Sequence, residues 1–204
     1  MTTIVIHRVN DSETLEKIPR EYGIELDVRD YGKELVLGHE PFILWEQKRG
    51  RLEDYLKNFN HALAIFDVKS EFIEKRVLEA AEKAGVKNFF LLGITVPATW
   101  ALEKAHEKRI AIRFSEDEPI ESALKWAGRA DWVWVDTKTK NPLTRESFKK
   151  LRLSGFKVCL VSPCRWGRPQ EIEGYVNYFK KNGIKLDAVM TERKHAEKWA
   201  ALDE

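Results

Sequence analysis

The sequence predicts an α/β fold, a single (β/α)8 TIM barrel with a short β-hairpin arm after its second strand. Two observations predict this fold. Eight short, apolar, β-branched runs recur along the 204 residues, and each is followed by an amphipathic stretch of helical period. No run is followed by a glycine-rich phosphate fingerprint, which disfavours the alternative of an open, doubly wound sheet. We therefore expect residues 1–204 to form one barrel domain.

Each predicted element follows from this alternation, taken in chain order. The eight strands are expected over residues 3–9, 23–29, 62–69, 88–94, 109–114, 132–137, 156–162 and 186–191. The eight helices are expected over residues 12–22, 51–60, 71–84, 98–108, 120–130, 144–154, 171–182 and 194–204. Ser12 is predicted to cap the first helix, and Thr144 with Ser147 to open the sixth.

One additional element, at residues 34–41, lies between the second strand and the second helix. The turn around residues 30–32 is tight, which favours an antiparallel hairpin arm. Such an arm would fold His39 back towards the level of Glu25.

The composition excludes several classes of protein. A hydrophobic fraction of 43% is too high for a disordered chain, and 35 basic against 33 acidic residues argue against a dedicated nucleic-acid binder. No apolar run approaches the roughly 20 residues that span a bilayer, and the N-terminus lacks the features of a signal peptide. We therefore expect a cytoplasmic protein without stable membrane insertion. The oligomeric state stays open.

Polar side chains collect where the predicted strands end, which is the catalytic end of such barrels. Glu25 and Asp27 are two residues apart, so both point to one side of their strand with Cα atoms ~6.6 Å apart. Asp67 on the adjacent strand can approach both. Three carboxylates without a nearby thiol suit Mg²⁺, Ca²⁺ or Mn²⁺ better than zinc. The alternative is an internal ion-pair cluster in which these carboxylates pair with Arg8, Lys69 and Arg113.

Two histidines close neighbouring elements, His7 at the first strand and His39 at the hairpin arm. Two imidazoles beside a metal and fixed cations suit general acid–base chemistry on a charged substrate. Further along, Asp136 ends the sixth predicted strand, and Trp166 lies between two arginines in residues 162–169. This loop is interpreted as either a substrate lid or a proline-rigidified surface loop.

In this order, the residues resemble the glycerophosphodiester phosphodiesterase family. The matching elements are His7-Arg8, then Glu25-Leu26-Asp27, His39-Glu40 and Asp67-Val68-Lys69. The resemblance is clearest over residues 4–69, and the remaining units agree in architecture only. It implies that Glu25, Asp27 and Asp67 bind a divalent metal and that His7 and His39 serve as acid and base. It also implies that Arg8 and Lys69 hold the phosphate of a small phosphodiester substrate.

The sequence departs from the family pattern at several positions. Val9 replaces the usual glycine after His-Arg, residues 12–14 replace Glu-Asn-Thr, and Asp67 is one methylene shorter than the usual Glu. Residues 42–50 leave little room for the insertion that most members carry over the active site. The head-group preference therefore does not follow from the resemblance.

The function expected from the sequence is a metal-dependent phosphoric diester hydrolase that releases glycerol 3-phosphate and an alcohol. One alternative is a related enzyme acting on a sugar phosphodiester or on a lipid like those cleaved by sphingomyelinase D, for which the residues Phe42, Ile43, Leu44 and Trp45 would supply an apolar rim. Another is a catalytically silent barrel that binds phosphorylated ligands.

Overall fold

The computed structural model describes residues 1–41 and 50–203. The strands in these residues are β1 (Thr3–Ile6), β2 (Gly23–Tyr31), β3 (Glu34–Leu37), β4 (Ala64–Val68), β5 (Phe89–Leu92), β6 (Ala111–Phe114), β7 (Trp132–Val135), β8 (Lys157–Val161) and β9 (Ala188–Thr191). The α-helices are α1 (Ser12–Glu16), α2 (Leu52–Leu56), α3 (Glu74–Lys83), α4 (Val96–Lys104), α5 (Ile120–Leu124), α6 (Arg145–Leu153), α7 (Ile172–Asn182) and α8 (Ala196–Ala200).

Every strand except the hairpin strand β3 pairs in parallel with a neighbour. Along the chain, a helix follows each of these parallel strands, and between β2 and its helix α2 lies β3. This is the architecture of a (β/α)8 TIM barrel, so the predicted fold class is confirmed. The chain groups into two compact units. We call Met1–Ile6 with His106–Glu204 the major unit and His7–Ala105 the minor unit. None of the described helices is both long enough and apolar enough to cross a membrane.

The minor unit contains the sheet that positions the candidate site. Strand β2 pairs in parallel with β4, and β4 with β5, in a register that puts Asp27 directly opposite Asp67. Strand β3 is antiparallel to β2, with Val28 opposite Leu37, which confirms the predicted hairpin arm. Alternate β2 residues such as Ile24 and Leu26 are fully buried, so the polar residues between them point to the other face of the sheet.

In the major unit, the strands follow the parallel order β1-β9-β8-β7-β6. The residues of β7 and β9 are buried on both faces, as expected for parallel strands covered by helices. Trp199 on α8 is fully buried, and its indole nitrogen donates to Ser162 Oγ at 3.0 Å. At α6, Thr144 and Ser147 form the predicted capping box.

The cap of α1 differs from the prediction. Asp11, not Ser12, is the N-cap, and its carboxylate accepts hydrogen bonds from Thr14 N at 2.7 Å and Thr14 Oγ1 at 2.8 Å. Ser12 is already the first helical residue, where its hydroxyl cannot fill the capping position. The helix also ends at Glu16 rather than at residue 22. Pro19 follows and has no backbone N–H to continue the helix.

We predict that Asp11→Ala lowers the free energy of unfolding by about 1 kcal/mol, because two donors of α1 lose their acceptor. Ser12→Ala is the matched control and is expected to change stability by less than about 0.5 kcal/mol. Urea denaturation of both variants measures the difference. If both variants lost the same free energy of unfolding, Asp11 would not be the sole capping residue and Ser12 would share that role.

Candidate active site

Three carboxylates meet on one face of the minor unit's sheet. Glu25 and Asp27 on β2 and Asp67 on β4 each offer an oxygen, and these oxygens lie within 4.8 Å of one another. Glu25 and Asp27 are almost fully buried, whereas the Asp67 side chain is 16% exposed. The structure thus brings together the three predicted metal ligands, and we call this set the carboxylate cluster.

The cluster holds excess negative charge in a poorly hydrated place. Burial raises the pKa of Glu25 well above its usual range, and the charges on Asp27 and Asp67 raise it further. Burial also raises the pKa of Asp67, although the neighbouring Lys69 ammonium opposes this. Both shifts have the cause expected when like charges share a desolvated site. A cation bound between the oxygens would relieve the repulsion.

Within residues 1–41 and 50–203, one buried oxygen of the cluster lacks a hydrogen bond. None of these residues donates to Asp27 Oδ1, even though Lys69 Nζ lies 3.4 Å away, because an ion-pair distance does not ensure the alignment that a hydrogen bond needs. A buried carboxylate oxygen left in this state is costly. Oxygen donors alone suit hard cations such as Mg²⁺, Ca²⁺ or Mn²⁺. The residues therefore fit a divalent metal.

Asn10 fixes the orientation of Asp27 and was not among the residues predicted from the sequence. Its amide Nδ2 donates to Asp27 Oδ2 at 2.8 Å, and its Oδ1 accepts from Asp27 N at the same distance. This reciprocal pair engages Oδ2 and leaves Asp27 Oδ1 to face Lys69. The signal in the sequence was a polar amide three residues after His7, within the loop that follows β1.

The predicted His-Arg pair lies against the other end of the cluster. His7 Nε2 is 3.8 Å from Glu25 Oε2, and the backbone N–H of Arg8 donates to the same oxygen at 2.7 Å. Arg8 adopts a left-handed backbone with φ of 55°, an uncommon conformation outside glycine that often marks functional sites. Its Nε lies 4.0 Å from Asp27 Oδ2.

The hairpin arm returns the chain to the cluster at His39. Gly38 N donates to Asp27 O at 3.0 Å, which extends the pairing of β2 with β3 to the level of Asp27. His39 Nδ1 lies 2.6 Å from Glu40 Oε1, and this hydrogen bond lowers the pKa of Glu40. His39 is also close enough for its charge to lower the pKa of Asp67. The bond from Gly38 therefore returns the chain to the level of Asp27 next to His39, while His7 lies beside Glu25.

Lys69 and Arg29 supply the positive charge. Lys69 Nζ donates to Asp67 Oδ2 at 2.5 Å. Arg29 donates to the carbonyl oxygen of His39 from Nε and Nη2, at 3.1 and 2.8 Å, and to that of Lys69 from Nη1 at 2.9 Å. Arg29 thus ties together the backbones of two predicted site residues. It shares the face of Glu25 and Asp27 at the next alternate position, a spacing that could have identified it.

Arg113 and Asp136 form a separate network in the major unit. Asp136 is buried and accepts from Arg113 Nη2 at 3.0 Å, from Trp166 Nε1 at 2.7 Å and from Thr137 N at 2.9 Å. Arg113 also pairs with Glu118 at 2.9 Å. The Trp166 indole is therefore held by a buried carboxylate, which is the behaviour of an ordered loop. In the ion-pair alternative, Arg113 was a partner of the carboxylate cluster, whereas here its partners are Asp136 and Glu118.

Comparisons with known proteins find similarity at the level of structure. No family model and no curated protein matches the sequence. A candidate glycerophosphoryl diester phosphodiesterase from Agrobacterium tumefaciens strain C58 superposes with a TM-score of 0.67 at 12% identity, covering 100% of both chains. The chain has the fold of glycerophosphodiester phosphodiesterases. A glycerophosphodiester phosphodiesterase structure from the same strain also gives 0.67, at 14% identity, over 97% of this chain and 100% of that one.

Proposed function

We propose that this protein is a metal-dependent phosphoric diester hydrolase that cleaves glycerophosphodiesters to glycerol 3-phosphate and an alcohol. The observation that carries the proposal is the carboxylate cluster, with the buried Asp27 Oδ1 that has no hydrogen bond among the described residues, with His7 beside Glu25 and with the hairpin that returns to Asp27 next to His39. The two structural neighbours, named as glycerophosphodiester phosphodiesterases, support the same reaction class.

Glu25, Asp27 and Asp67 would hold the ion. A bound divalent metal would polarise a phosphoryl oxygen and offset the charge that develops in the transition state. Buried carboxylates are suited to this role because little water competes with the ion for their oxygens.

The remaining residues would bind the phosphate and move protons. Arg8 Nε lies 4.0 Å from Asp27 Oδ2 and Lys69 Nζ lies 3.4 Å from Asp27 Oδ1, and both would contact the phosphate oxygens as fixed cations. His39 uses Nδ1 for its bond with Glu40, so Nε2 is the atom left for proton transfer. His7 would serve as the second acid–base group from the Glu25 side. An adjacent substrate hydroxyl would give its proton to one histidine and attack phosphorus, and the bond from phosphorus to the head-group oxygen would break as the other histidine protonates the leaving alcohol. Water would then open the cyclic phosphate, with the two histidines exchanging roles.

The test is hydrolysis by metal-stripped protein to which Mg²⁺, Ca²⁺ and Mn²⁺ are restored separately. Glycerophosphoethanolamine, glycerophosphocholine, glycerophosphoinositol and a chromogenic diester form the panel. Metal-dependent turnover that His7→Ala and His39→Ala each abolish is the expected result. Neither turnover nor metal binding by calorimetry would contradict the proposal and favour a silent barrel.

Arg29→Met is predicted to lower kcat on the order of a hundredfold while metal binding persists. The reason is that His39 and Lys69 lose the shared donor on their carbonyl oxygens, and small displacements of catalytic groups carry penalties of this size. Steady-state kinetics and metal calorimetry on the same preparation measure the two effects.

Arg51→Met is the matched control for Arg29. Arg51 is about half-exposed, and its contact is an ion pair with Glu34 at 3.4 Å. We expect its kcat to stay within about twofold of the wild type, because exposed ion pairs contribute little. If Arg29→Met lost metal binding, the prediction would be wrong, and Arg29 would be needed to hold the carboxylate cluster in its metal-binding geometry.

A further inference from the structure

A polar cavity adjoins the carboxylate cluster in the minor unit. It has a volume of about 220 Å³ and lies between the loop from β4 to α3 and the loop from β5 to α4. That is roughly seven times the share of liquid volume that one water occupies. Its lining includes Lys69, Ser70, Glu71, Glu74, Gly93 and Thr95.

Glu74 is the unusual member of this lining. The residue is only 7% exposed, and its carboxylate has no hydrogen bond or ion pair within the residues that the structure describes. Its position at the start of α3 gives favourable interaction with the helix dipole. Glu74 also lines the cavity, so a ligand bound there can reach its carboxylate. The neighbouring cations on α3 are engaged elsewhere, Lys75 with Glu79 at 3.8 Å and Arg76 with Lys33 O at 2.6 Å.

Two lining residues connect the cavity with the reaction site. Lys69 reaches Asp67 with its ammonium group at 2.5 Å, so its charge is already paired with the cluster. The backbone of Gly93 packs directly on Asp67, since a Cβ built there would lie 2.3 Å from Asp67 Oδ1. A substrate with its phosphate at Lys69 can therefore extend its leaving group into this cavity.

We propose that the cavity binds the ammonium group of the alcohol released from the phosphodiester, with Glu74 as its ion-pair partner. This inference rests on the proposed function. Glu71 adds a second carboxylate to the lining. The hydroxyl oxygens of Ser70 and Thr95 add lone pairs, which are the acceptors that an ammonium group needs. The enzyme would prefer amino-alcohol head groups to neutral ones.

The experiment compares glycerophosphoethanolamine with glycerophosphoglycerol, whose head group is neutral, in wild type and Glu74→Gln. The substitution keeps the size of the side chain and removes its charge. We expect kcat/KM for the cationic diester to fall on the order of tenfold, with the value for the neutral diester unchanged within about twofold. Glu79→Gln, on the same helix with an exposed side chain, is the matched control and should change neither value.

Equal losses on both diesters, or an unchanged ratio of the two kcat/KM values, would overturn the inference. If wild type hydrolyses neither diester with any metal, the proposed function fails, and binding of free ethanolamine decides the inference separately. Saturable binding in an NMR titration of wild type that Glu74→Gln abolishes would support an ammonium site. Absence of binding in wild type, or equal binding in both proteins, would remove it.

Discussion

Glu25→Gln is expected to lower the rate of metal-dependent hydrolysis at least about a thousandfold. At neutral pH, the same substitution is expected to stabilise the metal-free protein. The activity loss follows from a weakened metal site, whose bound ion contributes several kcal/mol to the transition state. The stability gain follows from burial and the charges of Asp27 and Asp67, which raise the pKa of Glu25. Gln keeps an oxygen to accept the hydrogen bond from Arg8 N.

The sign of the pH dependence follows from proton binding. Between the unfolded pKa of Glu25, near 4.5, and its raised folded pKa, the folded protein binds more protons than the unfolded one. Stability of metal-free wild type therefore falls as pH rises through this window, and Glu25→Gln lacks that loss. The Tm difference between variant and wild type in a chelator should grow from pH 4 to pH 8. Added Mg²⁺ should raise the Tm of wild type more than that of the variant.

Asp30→Asn provides the control on the same strand. Asp30 lies on the opposite face of β2 from Glu25 and Asp27, because successive side chains of a strand alternate between its two faces. We expect its response to metal and its activity to match wild type. If Glu25→Gln retained full metal-dependent turnover, Glu25 would not be a ligand, and the metal site would need a different set of oxygens.

Much of the candidate site could be predicted from the sequence because β2 alternates apolar and polar residues with period two. That period alone puts Glu25 and Asp27 on one face, and the parallel βα order puts Asp67 on the adjacent strand. The expected tight turn gave the correct direction of the hairpin and the return of His39, but it lies at residues 32 and 33 rather than 30–32, because Tyr31 still pairs with Glu34 in the β2–β3 ladder. In each case a local pattern determined a long-range contact.

The spacing on β2 puts Arg29 on the face of the site, but the hydrogen bonds that Arg29 and Asn10 make there depend on backbone geometry that local patterns do not specify. Arg29 acts on the carbonyl oxygens of His39 and Lys69, which lie 10 and 40 residues away in the chain. Asn10 acts through a loop whose left-handed turn at Arg8 is not evident from the residue type. The apolar rim suggested at Phe42–Trp45 lies outside the described residues.

Gly93→Ala is expected to lower the free energy of unfolding by about 3 kcal/mol and to weaken metal binding about tenfold or more. Gly93 has φ of 75°, which costs an L-residue roughly 1–2 kcal/mol. The added methyl would lie 2.3 Å from Asp67 Oδ1 and 2.9 Å from Val68 O. Because Val68 O belongs to the backbone of β4, the clash can be relieved only by shifting the strand or Asp67, at about 1–3 kcal/mol. Urea denaturation and metal calorimetry measure both effects.

Gly85→Ala separates the steric effect from the backbone strain. Gly85 has nearly the same φ, 77°, but no atom of the described residues lies within 4 Å of a Cβ built there, so only about 1 kcal/mol should be lost and metal binding should persist. A double-mutant cycle of Gly93→Ala with Asp67→Ala then locates the clash. If the methyl pushes on the Asp67 carboxylate, Gly93→Ala will cost less when Asp67 is already truncated. If the two losses simply add, the methyl acts on the β4 backbone, and Gly93 supports the strand rather than the ligand.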